Sequence, residues 1–264
     1  MSTPSALVKV MIDAARKAAR GLIRDFGEVA ELQVSKKGTA DYVSAADLKA
    51  EQVLYEALSK ARPGYSFLAE ERGMVEGTDK THTFIVDPLD GTTNFLHSIP
   101  QFAITIALQR DGQIVAGVTY NPIANEMFWA ERGKGAFVND RRLRVAARRD
   151  MIECVLATGI PFAGKPGHAQ FLKELHQVSQ RVSGVRRFGS ASLDLAWTAA
   201  GRVDGYWERN LKAWDIAAGL LLVTEAGGMV SNVDGSPIDL DKGEICAANL
   251  ELHPQIVHLL AAAK

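Results

Sequence analysis

The segment Asp87-Pro88-Leu89-Asp90-Gly91-Thr92-Thr93-Asn94-Phe95 carries two carboxylates, a stiffening proline and a glycine in quick succession. An apolar run, Thr83–Val86, leads straight into it, so both acids sit where a strand ends and a turn begins. Pro88 fixes its own φ and confines Asp87 to extended geometry, which holds the two acids in a set relation. Gly91 permits close backbone approach. Thr92 and Thr93 resemble the first residues of a helix, whose free N–H groups suit an anion such as phosphate. Two carboxylates beside such a cradle repel phosphate unless a divalent cation lies between them, and hard oxygen ligands favour Mg²⁺. A bare Asp-x-x-Asp-Gly is also an ordinary turn with a capping aspartate. The full nine residues behind a strand favour the site.

Further acids lie elsewhere in the chain. Glu70-Glu71 follows the apolar stretch Tyr65-Ser66-Phe67-Leu68-Ala69, which predicts that Glu70 ends a short strand near the point where Asp87 ends another. Asp215, in Trp214-Asp215-Ile216-Ala217-Ala218-Gly219, starts a largely apolar helix and reads either as its N-cap or as a ligand arriving from the other half of the chain. Asp47 opens an earlier helix and has the same two readings. The two cysteines, Cys154 and Cys246, form no CxxC pattern and fit a reducing compartment. None of the six histidines has zinc-type spacing.

The elements that must position these acids are legible from periodicity. Leu7 to Phe26 gives one amphipathic helix, and Ala46 to Ala61, closed by Pro63-Gly64, gives a second. Strands follow at Thr83–Val86, Ala103–Leu108, Ile114–Tyr120, Glu126–Ala130, Gly135–Val138 and Leu143–Val145, with a hairpin signal at Arg110-Asp111-Gly112. After about residue 150 strands and helices alternate. Strands fall at Cys154–Thr158, Arg186–Phe188, Gly205–Glu208 and Met229–Asn232; helices fall at His168–Val182, Ala191–Ala200, Asp215–Ala226 and from Pro254. The expectation is an antiparallel-sheet half over residues 1–148 and an α/β half over 149–264, within one domain of 1–264.

Lys plus Arg is 30 and Asp plus Glu is 31, so overall charge gives no pull toward nucleic acid. The basic run at Arg141-Arg142-Leu143-Arg144 reads as a solvated turn before it reads as a partner patch. The first helix interleaves Lys9, Arg16, Lys17 and Arg20 with its apolar positions, unlike a signal peptide. No stretch approaches the ~18 apolar residues of a membrane span. A cytoplasmic location and no membrane partner are expected.

Together, Glu70-Glu71, Asp87-Pro88-Leu89-Asp90-Gly91-Thr92-Thr93 and Trp214-Asp215-Ile216-Ala217-Ala218-Gly219 resemble the signature motifs of the inositol monophosphatase family. The likeness runs from Lys36 and Asp47 to Glu225-Ala226-Gly227-Gly228. Arg187-Phe188-Gly189-Ser190-Ala191-Ser192-Leu193-Asp194 and Ala200-Gly201-Arg202-Val203-Asp204-Gly205 are most similar to its bacterial extragenic-suppressor branch. The resemblance implies an α+β fold, a layered αβαβα sandwich of the inositol monophosphatase and fructose-1,6-bisphosphatase type. It also implies a homodimer, two or three Mg²⁺ per site, and sensitivity to lithium.

Residue by residue, it implies that Glu70, Asp87 and the Leu89 carbonyl hold a first Mg²⁺, and Asp87, Asp90 and Asp215 a second. Glu70 serves a weaker third ion through water. Thr92 and Glu70 orient and deprotonate the attacking water, and Asp47 hydrogen-bonds Thr92. The Gly91 and Thr92 N–H groups cradle phosphate; Ala191 and Glu208 touch the polyol, and Asp90 and Asp215 also border the substrate. Lys36 lies on a mobile loop that covers the metals. The chemistry implied is in-line attack of a metal-activated water on a small phosphate monoester, inositol monophosphate first. Histidinol phosphate, fructose 1,6-bisphosphate and 3′-phosphoadenosine 5′-phosphate are alternatives within that chemistry. The same branch implies a different alternative, a regulatory protein that binds the transcription machinery. Between Glu208 and Trp214 the chain reads Arg209-Asn210-Leu211-Lys212-Ala213, where family members usually carry a small glycine near Asn210. The likeness is therefore closer for phosphatase chemistry than for inositol phosphate itself.

Overall fold

A computed structural model describes residues 3–28, 34–37 and 41–263, with backbone alone for 34–37 and 41–44. Helix α1, Ala6–Gly27, starts where Ser5 Oγ accepts a hydrogen bond from the Val8 N–H. Its apolar stripe, including Met11, Ala15, Ala18 and Leu22, is buried. A ribbon of β1 (Val34–Lys37) and β2 (Asp41–Ser44) then leads into α2, Ala45–Ala61.

The larger sheet is built from β3 (Tyr65–Ala69), β4 (Gly73–Val75), β5 (Asp79–Asp90), β6 (Ala103–Arg110), β7 (Gln113–Asn121), β8 (Glu126–Glu131), β9 (Gly135–Val138) and β10 (Arg141–Arg142). Its order is β10-β9-β8-β7-β6-β5-β3-β4, and every pair is antiparallel except β3 with β5. The β6–β7 hairpin closes through Asp111 and Gly112, both at positive φ, the two-residue turn whose twist matches its strands. The short helix α3, Thr92–Leu96, follows β5 directly.

The second sheet holds β11 (Val155–Thr158), β12 (Gly184–Arg186), β13 (Gly205–Arg209), β14 (Met229–Ser231) and β15 (Glu244–Ala248), in the order β12-β11-β13-β15-β14. The pairs of β11 with β12 and with β13 are parallel, and both pairs of β15 are antiparallel. Helices α4 (His168–Ser179), α5 (Ala191–Ala199), α6 (Ala213–Glu225) and α7 (Leu252–Ala262) complete the chain.

Three apolar clusters stack these elements into five layers. In the first, α1 and α2 cover one face of the larger sheet through Leu22, Leu54, Phe84, Ile104 and Ile106. In the second, α5 and α6 lie between the two sheets, with Leu195 and Leu222 packed among Ala107, Phe128, Tyr206 and Ile245. In the third, Val178 of α4 and Ile256 of α7 cover the far face of the smaller sheet. The fold is the expected α+β, αβαβα sandwich. Side chains alternate along β6, so large Ile104 and Ile106 face the outer helices while Ala103 and Ala107 face α6. The small residues are needed because α6 lies close. A Cβ on Gly117 would stand 3.0 Å from the Ala218 carbonyl oxygen.

Several boundaries differ from the sequence expectation. Strand β5 runs from Asp79 through Asp90, where Thr83–Val86 was expected, because Asp90 still pairs with Ala103 beyond Pro88. Leu143–Val145 is not a strand; the edge is the exposed pair Arg141–Arg142, and Leu143 instead donates to the Ala136 carbonyl. Helix α4 ends at Ser179, and α7 begins at Leu252. Strand β15 carried no sequence signal, since Cys246, Ala247 and Ala248 are small residues that enter strands and helices alike.

Both cysteines are fully buried, and burial pushes the Cys154 thiol up to about 11 and the Cys246 thiol to about 12. Raised values leave both as neutral thiols at pH 8, and the thiolate is the nucleophile. An aromatic disulfide reagent at pH 8 is expected to find no fast-reacting thiol in the folded protein and two after denaturation.

Candidate active site

Strands β3 and β5 run parallel, with Ala69 opposite Val86, so Glu70 and Asp87 leave the sheet side by side. A regular strand would then point Asp87 and Asp90, three residues apart, to opposite faces. Between them the pairing register shifts: Asp87 faces Thr105, whereas Asp90 faces Ala103. One extra residue on β5 makes a β-bulge, which turns Asp90 back to the face of Asp87. Pro88 sits within it, where a strand tolerates a missing N–H.

Asp215 arrives from the opposite side as the third residue of α6, and its Oδ2 accepts the Lys212 N–H at 2.7 Å. Lys212, and not Asp215, is the N-cap. One carboxylate oxygen from each of Asp87, Asp90 and Asp215 falls within 4.8 Å of the others. A second group with the same spacing comprises Asp47, Glu70 and Glu71.

Each of the three aspartates has one oxygen held by the protein. Asp87 Oδ1 accepts the Leu89 N–H at 2.9 Å. Asp90 Oδ2 accepts from Ser190 Oγ at 2.6 Å, Ser192 N at 2.7 Å and Ser192 Oγ at 2.5 Å. The charge is nonetheless badly placed. Burial first, then Glu70, Asp90 and Asp215, hold the Asp87 carboxyl well above its usual range. Burial and then Asp90 do the same to Asp215. Burial raises Asp90 as well, against the lowering effect of its serine donors. A set of hard oxygen donors that destabilise one another's charge is the arrangement a small divalent cation relieves.

The acids open into a two-lobed cleft. One lobe, of about 180 Å³, is lined by Glu70, Asp87, Leu89, Asp90, Gly91, Thr92, Ala191, Glu208 and Asp215 among others. The adjoining lobe, of about 340 Å³, shares Glu70, Glu208 and Asp215 and adds Lys165, Arg209, Asn210, Lys212 and Trp214. The structure thus brings Glu70, Asp87, Leu89, Asp90, Gly91, Thr92, Ala191, Glu208 and Asp215 to one cleft, while Asp47 falls in the second acid group with Glu70 and Glu71. The Thr92 hydroxyl donates to the Leu89 carbonyl at 2.9 Å. Gly91, at φ 97°, is needed as glycine: a Cβ there would meet the Gln101 carbonyl at 3.0 Å. Lys36 belongs to β1, and its side chain lies outside the described residues.

Residues 4–264 match the inositol monophosphatase family. The chain belongs to that family. It is 70% identical over 256 residues to an inositol-1-monophosphatase of Caulobacter vibrioides, covering 96% of this chain and all of that protein. It is 41% identical to a protein of Pasteurella multocida named Nus factor SuhB, covering 96% of this chain and 94% of the relative. The crystal structure of extragenic suppressor protein suhB from Bartonella henselae superimposes with a TM-score of 0.95 at 57% identity, covering 97% and 98% of the two chains.

Several residues of this inositol monophosphatase family site were not singled out by sequence. Glu51, buried on α2 one turn after Asp47, accepts the Glu71 N–H at 2.9 Å and the Arg72 N–H at 3.2 Å, and so fixes the turn that presents Glu70. Its signal was the i,i+4 spacing from Asp47, two acids on one helix face. Asn94 donates to the carbonyls of Gln101 at 2.7 Å and Phe188 at 2.8 Å, tying the acidic turn to the segment before α5. Arg187 and the stretch Gly159-Ile160 line the cleft. Parallel strands β11 and β13, with Thr158 opposite Trp207, deliver Gly159 and Glu208 together. Glu208 accepts the Tyr206 hydroxyl, and burial lifts its carboxyl to about 7.

A Cβ on Gly159 would fall 1.8 Å from Glu208 Oε1. The three nearest atoms all belong to the end of the Glu208 side chain, so Gly159→Ala should fold and push the Glu208 carboxylate aside. KM for a phosphate monoester is expected to rise about tenfold with kcat and Tm near wild type. An unchanged KM would remove Glu208 from the substrate surface.

Proposed function

We propose that this protein is a Mg²⁺-dependent phosphatase of small phosphate monoesters, with inositol monophosphate as its first substrate. The observation that carries this reading is the meeting of Asp87, Asp90 and Asp215 oxygens within 4.8 Å at the floor of a cleft. A relative with 70% identity bears the name inositol-1-monophosphatase. Asp87, Asp90 and Asp215 would hold one Mg²⁺, and Glu70, Asp87 and the Leu89 carbonyl another, with Glu70 reaching a weaker third through water. Bound there, the cations supply charge neutralisation at the phosphoryl oxygens, a more acidic water and a stabilised leaving alkoxide.

The chain's own residues do the rest. The N–H groups of Gly91 and Thr92 receive the phosphoryl oxygens. The Thr92 hydroxyl donates to the Leu89 carbonyl, so its oxygen is left to accept a hydrogen bond from the attacking water and orient it. Glu70 takes one proton from that water as its oxygen bonds to phosphorus and the ester P–O bond breaks; the departing alkoxide takes a proton from solvent, giving alcohol and phosphate. Asp47, beside Glu70 and Glu71, stands behind this base. Ala191 and Glu208 meet the departing polyol, with Asp90 and Asp215 along the same wall.

We read the chain as one domain over 1–264, working as a cytoplasmic homodimer; among the described residues no helix is long and apolar enough to cross a membrane. A monomer by light scattering at micromolar concentration would count against the dimer. The relatives named Nus factor support a second reading, association with the transcription machinery, which co-purification with RNA polymerase tests. The intact acid set favours catalysis, since a purely regulatory protein has no need of it.

Phosphate release should be measured over inositol, histidinol, sugar and nucleotide phosphates, with Mg²⁺ and with EDTA. Turnover is expected with Mg²⁺ alone, highest on inositol monophosphate. Robust turnover in EDTA would sink the metal-dependent mechanism. Glu70→Gln is expected to cut kcat by about a hundredfold or more at near-constant KM, because it acts on the attacking water. A raised KM at level kcat would make Glu70 a binding residue.

A further inference from the structure

Asp90 differs from its two neighbours in how it is held. Asp87 and Asp215 are fixed by backbone N–H groups, from Leu89 and Lys212. Asp90 is fixed by two side chains from the other half of the chain, together with the Ser192 and Ala191 N–H groups. Ser190 Oγ, Ser192 N and Ser192 Oγ all converge on the same oxygen, Oδ2, at 2.6, 2.7 and 2.5 Å. Both serines are buried, at 2% and 0% exposure, so water cannot replace either hydroxyl. Both stand at the entrance to α5, on the segment that Asn94 ties to the acidic turn.

An oxygen that accepts three short hydrogen bonds has little capacity left for a cation, whereas the second oxygen is not engaged by the serines. We propose that Ser190 and Ser192 are positioning residues for the cation site. Acting through Asp90, they saturate Oδ2 and oblige the carboxylate to bind an ion through Oδ1 alone. A one-oxygen contact matters for which ion is accepted. Mg²⁺ demands compact octahedral geometry, whereas Ca²⁺ takes more ligands at longer distance and readily accepts both oxygens of one carboxylate. The serine pair thus favours the smaller ion. Neither serine touches the cation itself. This inference rests on the divalent-cation site proposed above.

The test measures binding directly, without substrate. Full-length wild type, Ser190→Ala, Ser192→Ala, the double variant and Ser190→Thr are stripped with EDTA, dialysed and titrated calorimetrically with MgCl₂ and with CaCl₂. Each alanine is expected to weaken Mg²⁺ binding by about tenfold, the range that partners of metal ligands command, and the double variant by more. Ca²⁺ affinity should fall less, so the Ca²⁺-to-Mg²⁺ affinity ratio rises. Ser190→Thr keeps the hydroxyl and should keep wild-type Mg²⁺ affinity. A serine that serves only to stabilise the fold would lower Tm in EDTA and leave the ion ratio where it was. Mg²⁺ affinities within about twofold of wild type in all alanine variants, with an unchanged ratio, would overturn the proposal. A wild-type protein that binds no Mg²⁺ would overturn the cation site and this inference with it. If Ser192→Ala fails to fold, the Ser190→Ala and Ser190→Thr pair decides the matter alone.

Discussion

Asp87, Asp90 and Asp215 are forced together in a partly dry cleft, and the repulsion among them is the constraint around which the other elements are arranged. Taking even one carboxylate out of water is costly, and a neighbouring carboxylate adds to the cost. A fold optimised for its own stability would separate these groups. Here each is instead held by one oxygen, through Leu89, the Ser190–Ser192 pair or Lys212, so that none can turn away from the others. Two of them also lie at helix N-termini, Asp90 at α5 and Asp215 at α6, where the local dipole offsets part of the negative charge. The carboxyls of all three remain raised, the condition that a bound cation would relieve.

The local backbone shows how a chain meets that demand. Two acids three residues apart cannot share a face on a regular strand. The bulge at Pro88-Leu89 brings them together at the cost of local ladder pairing. Glu70 reaches them because β3 pairs with β5 in parallel, so its C-terminal end, and not its start, lies beside that of β5. The second sheet repeats the device, with β11 and β13 ending together at Gly159 and Glu208. Both sheets thus aim the C-terminal ends of parallel pairs into one crevice, the position at which open sheets commonly bind ligands.

How much of this was written in the sequence depends on the range of the interaction. The acidic motif, the β6–β7 turn at Asp111-Gly112 and the long helices are local, and spacing alone shows them. Glu51 was hidden because its role is to accept backbone N–H groups twenty residues away. Ser190 and Ser192 were visible as part of a motif, but nothing local shows that their hydroxyls turn to an aspartate a hundred residues earlier. Strand β15 was invisible for a packing reason. Its alanines are small because a Cβ on Gly205 would already touch Ala248 at 3.2 Å, and one on Gly228 would meet the Ala248 carbonyl at 2.9 Å. Crowding removed the large β-branched residues that announce a strand.

Gly219 makes the same point inside a motif that otherwise reads as catalytic. Leu195 of α5 occupies the space where its Cβ would stand, with Cδ1 at 2.4 Å, so the glycine lets α5 and α6 close on each other. That contact sets the distance between the two helix N-termini, and hence between Asp90, gripped at α5, and Asp215, carried on α6. The carboxylates that meet in the cleft and the residue that spaces them are therefore parts of one device. The adjoining lobe adds Lys165 and residues 209–212 to the shared acids, and there Asn210 donates to the Pro166 carbonyl at 3.2 Å. Changes in that lobe leave the helix pair that spaces the carboxylates untouched. A fold divided in this way can keep its chemistry fixed and vary its substrate.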